Sequence, residues 1–494
     1  MPIDPEHDHV VDPVSGEQGS PAHPNSESPH LDRPIWYRVL MLAWPVWIQQ
    51  LLLMFVGLYD QYLAGNNPPA DAQEHVAFQA AQTTANYLAW FISSSSAIVS
   101  VGGTALVARF IGAQDKLKAQ AAANQSIVLA FVLGSFTSLV GLWLLPDLIQ
   151  MMHMSAKASA MATDFLTPIL MLVVFQMIEQ AGLACLVGAG DTRPMMWVLG
   201  GVSLINIPLA WFCFHGLGRV PGWGFQGIAW GTAISHALGG VAVMVLLYRG
   251  RAGLHLRFSA LIPNPALIRR ILHISIPASI DTLSICLCQL WFLSMVNRLG
   301  DVATTAHGMA IRWESLGYLS GQAFATAAAA LVGQNLGARR PGDAARAVWV
   351  AWGIGSTVMA GMGIIFYIFA PDMFRLFCPA HHQQDVIEAG VPILRLVAFA
   401  MPPLACIIIF SGALRGAGAT RLPMVLSWIG FLGIRIPLAY LLMFAQTDLT
   451  PVARIPGLAL GLYGAWLAMF ADLIIRGGLF LYRFAAGSWK QVRV

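Results

Sequence analysis

Long apolar stretches dominate this sequence of 494 residues, and two of the clearest run over 119–145 and 348–370. A helix of about 20 mainly apolar residues crosses the hydrocarbon core of a bilayer. Only 11% of the residues are charged, against roughly 25% in soluble domains, so the chain lacks the polar groups of a water-facing surface. The sequence shows no strand-length alternation of apolar and polar residues, which favours helices over a membrane barrel. We therefore predict an all-α integral membrane protein.

About twelve spans follow from this pattern, and the basic residues between them predict their orientation. Arginine and lysine concentrate in the loops on one side, for example at 109–118, 249–257 and 339–346. Loops rich in these residues stay in the cytoplasm, and an even number of spans then places both termini there. We expect a multi-pass protein of the inner cell membrane. The predicted spans are 35–64, 75–108, 118–146, 158–187, 194–215, 226–248, 268–298, 302–335, 343–370, 386–414, 423–445 and 457–483.

The two halves of the chain resemble each other. The segment 188–195 (GAGDTRPM) recurs at 416–424 (GAGATRLPM), and the IPLA of 207–210 recurs at 436–439. Ala105-Leu-Val followed by Gly112 also recurs, as Ala330-Leu-Val followed by Gly337. Both copies lie on the same predicted side with an even number of spans between them, so the repeats are parallel and related by an axis along the membrane normal. The sequence predicts two pseudo-symmetric lobes of six helices each.

Composition and the repeat divide the chain into four segments. Residues 1–34 are polar and rich in proline and serine, which predicts a disordered cytoplasmic tail. We expect a first lobe over 35–250, a basic cytoplasmic linker over 251–267, and a second lobe with a short tail over 268–494.

The two repeated turn motifs are rich in glycine, at Gly188 and Gly190 and again at Gly416 and Gly418. Glycine permits a tight reversal between helices, and the proline that follows starts the next helix. We expect these four glycines to mark cytoplasmic hinges.

Several longer motifs carry a family resemblance that covers about 35–484. They are Pro45, 60–65 (DQYLAG), both GAGxTR turns, Ala306-His307, 312–316 (RWESL), 330–338 (ALVGQNLGA) and 414–418 (LRGAG). Together they resemble the multidrug and toxic compound extrusion (MATE) transporters. The resemblance implies a monomeric, cation-coupled antiporter that exports amphipathic, often cationic, organic compounds.

The chain departs from the family at known coupling positions. Some members carry acidic residues in spans seven and ten, where this chain has Ile285 and Leu404. Another subgroup pairs its span-one aspartate with an aspartate four residues after the span-five asparagine, and that position here is Ala210. The resemblance therefore leaves the coupling ion open between proton and sodium.

An ionisable side chain at bilayer depth costs about 2.5–3.5 kcal/mol on insertion scales, so each one is a functional candidate. Asp60, near the outer end of span one, matches the span-one aspartate of the family. Its carboxylate is predicted either to exchange a proton or to bind sodium together with Asn206. A structural hydrogen bond is the alternative for Asp60.

The second lobe and span four hold further candidates. Asp281 and Glu314 are candidate ion-coupling residues, either sharing a proton or pairing with Arg312, and a helix-packing salt bridge is the alternative. Arg435 occupies the repeat position of Asn206 and is expected to hold Glu314 or Asp281 across the lobe. Glu179, Arg312 and Arg435 are candidates for the substrate cavity, and a hydrogen bond across a helix interface is the alternative for Glu179. Trp90, Phe175, Trp291 and Tyr318 are aromatic residues suited to stacking on flat cations.

Competing functions are distinguished by their motifs. ATP-driven transport is unsupported because none of the four lysines follows glycine, as a Walker A motif requires. The sequence has no metalloprotease or nucleophile-elbow motif of a membrane enzyme, and no selectivity-filter motif of a channel. We expect no cofactor and no nucleic-acid partner, only a small organic substrate, a coupling proton or sodium ion, and the lipid bilayer. The alternative function is a flippase or exporter of lipid-linked or polysaccharide precursors within the same superfamily.

Overall fold

The fold is a bundle of long helices, seen in a computed structural model that describes residues 34–66, 88–151, 156–217, 220–257, 261–377, 384–448 and 454–492. The expectations for the N-terminal tail and for the predicted start of the second span at 75 lie outside these residues. Within them, twelve helices are long and apolar enough to cross a membrane, as predicted.

The helices are numbered here in chain order. They are α1 (Ile35–Asn66), α2 (Ala97–Gly112, in an apolar span that begins at Leu88), α3 (Lys116–Met151), α4 (Ala156–Gly188), α5 (Arg193–His215), α6 (Phe225–Tyr248), α7 (Pro265–Asn297), α8 (Asp301–Gly337), α9 (Pro341–Phe377), α10 (Gln384–Gly416), α11 (Arg421–Met443) and α12 (Gly461–Ala485). Helix α11 contains a π-helical segment, Ile429–Arg435.

Short antiparallel hairpins connect two pairs of helices. Strands β1 (Gly216–Leu217) and β2 (Val220–Pro221) lie between α5 and α6, with Gly216 opposite Pro221. Strands β3 (Gln446–Asp448) and β4 (Arg454–Pro456) lie between α11 and α12, with Thr447 opposite Ile455. The two hairpins occupy equivalent places in the two halves of the chain.

The turn glycines close helix ends by a common hydrogen-bond pattern. After α4 the amide of Asp191 donates to the carbonyl of Leu186 at 3.0 Å, and after α10 the amide of Ala419 donates to that of Leu414 at 2.9 Å. Gly190 and Gly418 hold φ at +90° and +86°, a left-handed conformation that glycine adopts without a steric penalty. The sequence motif therefore encodes a helix C-cap.

The turns after α2 and α8 repeat this pattern without glycine. Gln114 and Arg339 both have φ of +59°, and the next amide in each turn donates back to Phe110 or Asn335. These four turns, after α2, α4, α8 and α10, lie at one end of the bundle, which we call the basic end. The opposite end is called the far end.

The two halves of the bundle meet at the basic end through a reciprocal pair of glycines. A Cβ at Gly112 would collide with the carbonyl oxygen of Gln334, and a Cβ at Gly337 would collide with that of Arg109. Gly337 follows Gly112, and Gln334 follows Arg109, by the same 225 positions. The contact is therefore self-complementary, as expected across a twofold axis.

A second small residue lies on this axis, and two polar contacts join the lobes nearby. A Cβ at Gly333 would lie 2.5 Å from the Cβ of Ala108, its own repeat partner. The amide side chain of Gln334 donates to the carbonyl of Gly188 at 3.1 Å, and the backbone amide of Gly102 donates to Ser275 Oγ at 2.8 Å. Repeated small residues thus bring the backbones of the two lobes into direct contact.

The hydrophobic cores also cross between the lobes near the basic end. Val39, Leu42 and Ala43 of α1 belong to the core of the second lobe. Ile271 and Ile274 of α7 belong in turn to the core of the first lobe. Helices α1 and α7 are repeat equivalents, so each lobe inserts the same helix into the core of the other.

The glycine contact gives the first prediction. Gly112→Leu places a side chain against the backbone of α8, and overpacking of this kind costs about 1–3 kcal/mol. We expect the two lobes to separate at the basic end. A cysteine that replaces the fully buried Ala108 would then react with a water-soluble maleimide. Gly337→Leu should give the same result because the contact is reciprocal.

The matched control is Gly342→Leu, which lies in the first turn of α9 where a Cβ would meet nothing within 4 Å. Equal labelling of the cysteine in the Gly112→Leu and Gly342→Leu backgrounds would show that the glycine contact does not hold the lobes together.

Candidate functional site

The first-lobe candidates begin with Asp60 and Asn206. Asp60 lies in α1, and its side chain is outside the described residues. Leu52 of α1 lies beside Gly200 of α5. A helix rises 1.5 Å per residue, so the backbone of Asp60 lies about 12 Å beyond Leu52 towards the far end, and that of Asn206 about 9 Å beyond Gly200. The two candidates are therefore roughly level on neighbouring helices.

Asn206 is buried and only partly satisfied. Its Nδ2 donates to Thr232 Oγ1 of α6 at 3.0 Å, while its buried Oδ1 has no hydrogen-bond partner in the described part of the chain. A free carbonyl-type oxygen is a suitable ligand for a hard cation. Among the described residues, however, no three histidine, cysteine or acidic side chains group into a metal site.

Glu179 has a titratable partner on a neighbouring helix. Its side chain on α4 is fully buried, and its Oε2 lies 2.6 Å from Nδ1 of His236 on α6. Its Oε1 is also buried and has no hydrogen-bond partner among the described residues. The structure therefore makes His236 half of a buried acid–base pair.

Asp281 pairs with a residue outside the candidate set. Its Oδ2 accepts a hydrogen bond from Arg415 at the end of α10, at 2.6 Å. The other carboxylate oxygen is buried without a partner among the described residues. The hypothesis that Asp281 pairs with Glu314 or Arg312 is therefore wrong for this state, because the carboxylate of Asp281 binds Arg415 instead.

Arg435 is also paired differently from the expectation. Its Nε and NH2 lie 2.9 and 2.7 Å from Oδ2 of Asp472 on α12, and that oxygen accepts a third bond, from Arg476, at 2.8 Å. Arg435 therefore does not bind Glu314 or Asp281. Asp472 is adjacent because α12 packs directly against the π-helical segment that carries Arg435. Asp472 and Arg476 form an i,i+4 pair on α12.

The aromatic ring of Phe431 completes this cluster. The guanidinium carbons of Arg435 and Arg476 lie 4.4 and 4.5 Å from the ring centroid, which permits cation–π attraction to both. With two arginines and one aspartate, the buried cluster carries a net positive charge. Because π-helical turns often occur at functional sites, the segment itself marks this region.

Glu314 and Arg312 on α8 remain outside any ion pair of the described residues. Glu314 is partly buried, and the nearby charge of Arg435 acts on its carboxylate. Arg312 is exposed although it lies 11 residues into a spanning helix. Contact with lipid at that depth is costly for a charged side chain, so Arg312 stays a functional candidate.

A cavity of about 1000 Å³ lies against the glycine contact at the basic end. Its charged lining consists of Arg38, Asp191, Arg193, Arg251, Arg339 and Arg340. Arg251 is held there by Asp191, whose Oδ2 accepts its Nε hydrogen bond at 2.6 Å. Gly112 and Gly337, which form the lobe contact, are part of the cavity wall.

The sequence did not indicate three of the observed partners. They are His236 for Glu179, Arg415 for Asp281, and Asp472 for Arg435. Each lies on a different helix from the residue it binds, so no spacing within one helix could reveal it. The sequence could indicate only that a partner exists, because an isolated charge in an apolar span is costly to bury.

The cluster in the second lobe gives the second prediction. Asp472→Asn leaves two arginines buried without a counter-charge, and breaking a buried pair in this way typically costs about 3–5 kcal/mol. We expect a large drop in the thermal unfolding temperature of the purified protein. Arg435→Gln combined with Asp472→Asn should be less harmful than the sum of the single changes.

The control is Asp372→Asn, which breaks an exposed i,i+3 pair with Arg375 and should change stability by less than about 1 kcal/mol. If Asp472→Asn unfolds at the same temperature as this control, the cluster does not stabilise the second lobe.

Comparison with known proteins adds relatives over almost the whole chain. The chain is 26% identical over 472 residues to a probable multidrug resistance protein NorM of Thermotoga maritima, covering 95% of each chain. It is 27% identical to the multidrug resistance protein NorM of Burkholderia vietnamiensis, over 90% of this chain and 92% of that one.

Solved structures agree on the fold. A crystal structure of MATE in complex with MaL6 superposes with a TM-score of 0.83 at 21% identity, covering 93% of this chain and 98% of that one. The sequence model of the MatE family matches residues 45–212 and 277–441, which include Asn206, Glu179, Asp281 and Glu314. The chain therefore belongs to the MatE family of transporters.

Proposed function

We propose that the protein is a secondary active antiporter that exports amphipathic, often cationic, organic compounds in exchange for protons or sodium ions. The observation that supports it most is a set of buried ionisable groups within each lobe, together with lobes that meet through a reciprocal contact at one end. Such groups can bind an ion in one conformation and release it in another. The relatives named as multidrug resistance proteins support the substrate class.

The closed lobe contact supports a defined state in the transport cycle. Arginine is abundant at the basic end, which by the positive-inside rule faces the cytoplasm. A structure closed at that end would be the outward-facing form. Export then requires the Gly112–Gly337 contact to open and admit substrate. Within this proposal the protein works as a monomer of the inner membrane, needs no cofactor and has both termini in the cytoplasm.

Exposed aromatic side chains support recognition of flat organic cations. Trp90, Phe175, Trp291 and Tyr318 are between 38% and 46% exposed although all four lie in spanning helices. Aromatic faces attract cations by about 0.5–2 kcal/mol each. Trp291 and Tyr318 are oriented by hydrogen bonds with Tyr440 and Gln322, respectively.

The second lobe favours one alternative substrate class. Four arginines of this lobe (Arg312, Arg415, Arg435 and Arg476) lie among three acidic residues (Asp281, Glu314 and Asp472). A net positive interior suits the phosphate of a lipid-linked precursor. Transport of such a precursor is therefore the second candidate function.

The third prediction tests the antiporter directly. Purified protein in liposomes should move ethidium, a fluorescent organic cation, when either a proton gradient or a sodium gradient is imposed, and the effective gradient names the coupling ion. We expect Asp60→Asn to abolish the driven movement because the amide cannot exchange a proton and is a weaker ligand for sodium.

Asp147→Asn is the matched control, since Asp147 is an exposed carboxylate near the far end of α3. If neither gradient drives ethidium or other organic cations, the antiporter proposal fails, and flux of a phosphate-bearing lipid precursor becomes the expected activity. Driven transport that survives Asp60→Asn would retain the function and remove Asp60 from it.

A further inference from the structure

We propose that Glu179 and His236 form a proton-binding site in the first lobe, a pair that takes up one proton when buried and releases it when the lobe rehydrates. This inference rests on the proposed antiport and specifies where a proton binds in it.

The two side chains of the pair are close enough for a strong hydrogen bond. The 2.6 Å separation between Glu179 Oε2 and His236 Nδ1 is that of a strong, charge-assisted hydrogen bond. Glu179 is on α4 and His236 is on α6, two helices that pack along much of their length. A Cβ at Gly239 would collide with Glu179 Oε1, so the glycine leaves the space that the carboxylate occupies.

Charge balance supplies the second argument. A deprotonated pair carries one negative charge, whereas a pair with one added proton is neutral overall, as imidazolium with carboxylate or as imidazole with carboxylic acid. Helices α2, α3, α5, α6 and α8 pack against α4, and among their described residues only His236 exerts a charge effect on Glu179. No nearby cation compensates the carboxylate, so burial favours the protonated, neutral pair.

The two side chains of the pair differ in their exposure. The side chain of Glu179 is 0% exposed, whereas that of His236 is 16% exposed. The exposed face of α6 carries Leu238, Val241 and Val245, and at 100° per residue His236 lies about 160° from Leu238 around the helix. The exposed edge of the imidazole therefore faces the interior of the bundle, and the histidine is the point of entry for the proton.

Two further polar residues lie between the pair and the far end. Thr232 precedes His236 by one turn of α6 and accepts the hydrogen bond of Asn206. The backbone of Asp60 lies roughly level with Asn206, as described above. Asp60 and the Glu179–His236 pair thus lie at successive depths of one lobe, with Asn206 and Thr232 between them.

The fourth prediction has a transport arm and a spectroscopic arm. In liposomes with an imposed proton gradient, Glu179→Gln should reduce ethidium accumulation to the level of protein-free vesicles, because the amide keeps a hydrogen bond but binds no proton. His236→Gln should shift the pH dependence of the driven flux, whereas Ser235→Ala, a neighbouring buried position bonded only within α6, should behave as wild type.

The spectroscopic arm does not depend on transport. Infrared difference spectra of purified wild-type protein titrated from about pH 5 to about pH 9 should show a band of the protonated pair, from a carboxylic acid or an imidazolium, that disappears as the pH rises. The band should be missing in Glu179→Gln and should titrate at a different pH in His236→Gln.

The outcomes separate this inference from the antiporter proposal. If the band titrates as expected but no gradient drives ethidium in wild type, the proton site stands and the proposed antiport of organic cations fails. If Glu179→Gln leaves both the band and the driven flux unchanged, the pair is a structural link between helices and the inference is overturned.

Discussion

The rest of the structure depends on the close approach of two backbones at Gly112 and Gly337. Any side chain at either position would collide with a carbonyl group of the other lobe, so the closed state exists only because both are glycine. The contact is self-complementary, since the residues it joins are repeat partners. Such an interface buries small residues rather than interdigitated large ones, which lets it close tightly and separate without repacking side chains. It brings the two lobes together while leaving each with its own set of buried charges.

The two lobes handle buried charge in different ways. In the first lobe, a carboxylate and an imidazole face each other, and their total charge depends on one proton. In the second lobe, Asp472 neutralises only one of two arginines, and the ring of Phe431 contacts both. Arginine stays charged at any physiological pH, so this cluster cannot exchange protons itself. The first lobe therefore holds a titratable acid–base pair, and the second lobe holds a cluster with a fixed positive charge.

Much of the fold could be predicted from the sequence, because local patterns control it. Apolar length predicted the twelve helices, and the GAGxTR motif predicted turns that the structure shows as helix C-caps at Gly190 and Gly418. The repeat contained the lobe contact, since Gly112 and Gly337 stood out as equivalent positions. The partners of the charges could not be predicted in this way. Asp281 binds Arg415, and Arg435 binds Asp472, across helix interfaces. Such contacts depend on the rotation of each helix and on a π-helical segment that no sequence motif predicted.

The most direct test of the account is whether the lobes move about the basic-end contact during transport. Spin labels at the exposed positions Lys118 and Arg346, in a background with the six native cysteines replaced, report the separation of the lobes at the basic end. A second pair at Trp223 and Val302 reports the far end. Under an imposed ion gradient with ethidium present, we expect a fraction of molecules with a longer basic-end distance and a shorter far-end distance. A basic-end distance that stays fixed in protein that is transporting would contradict the account.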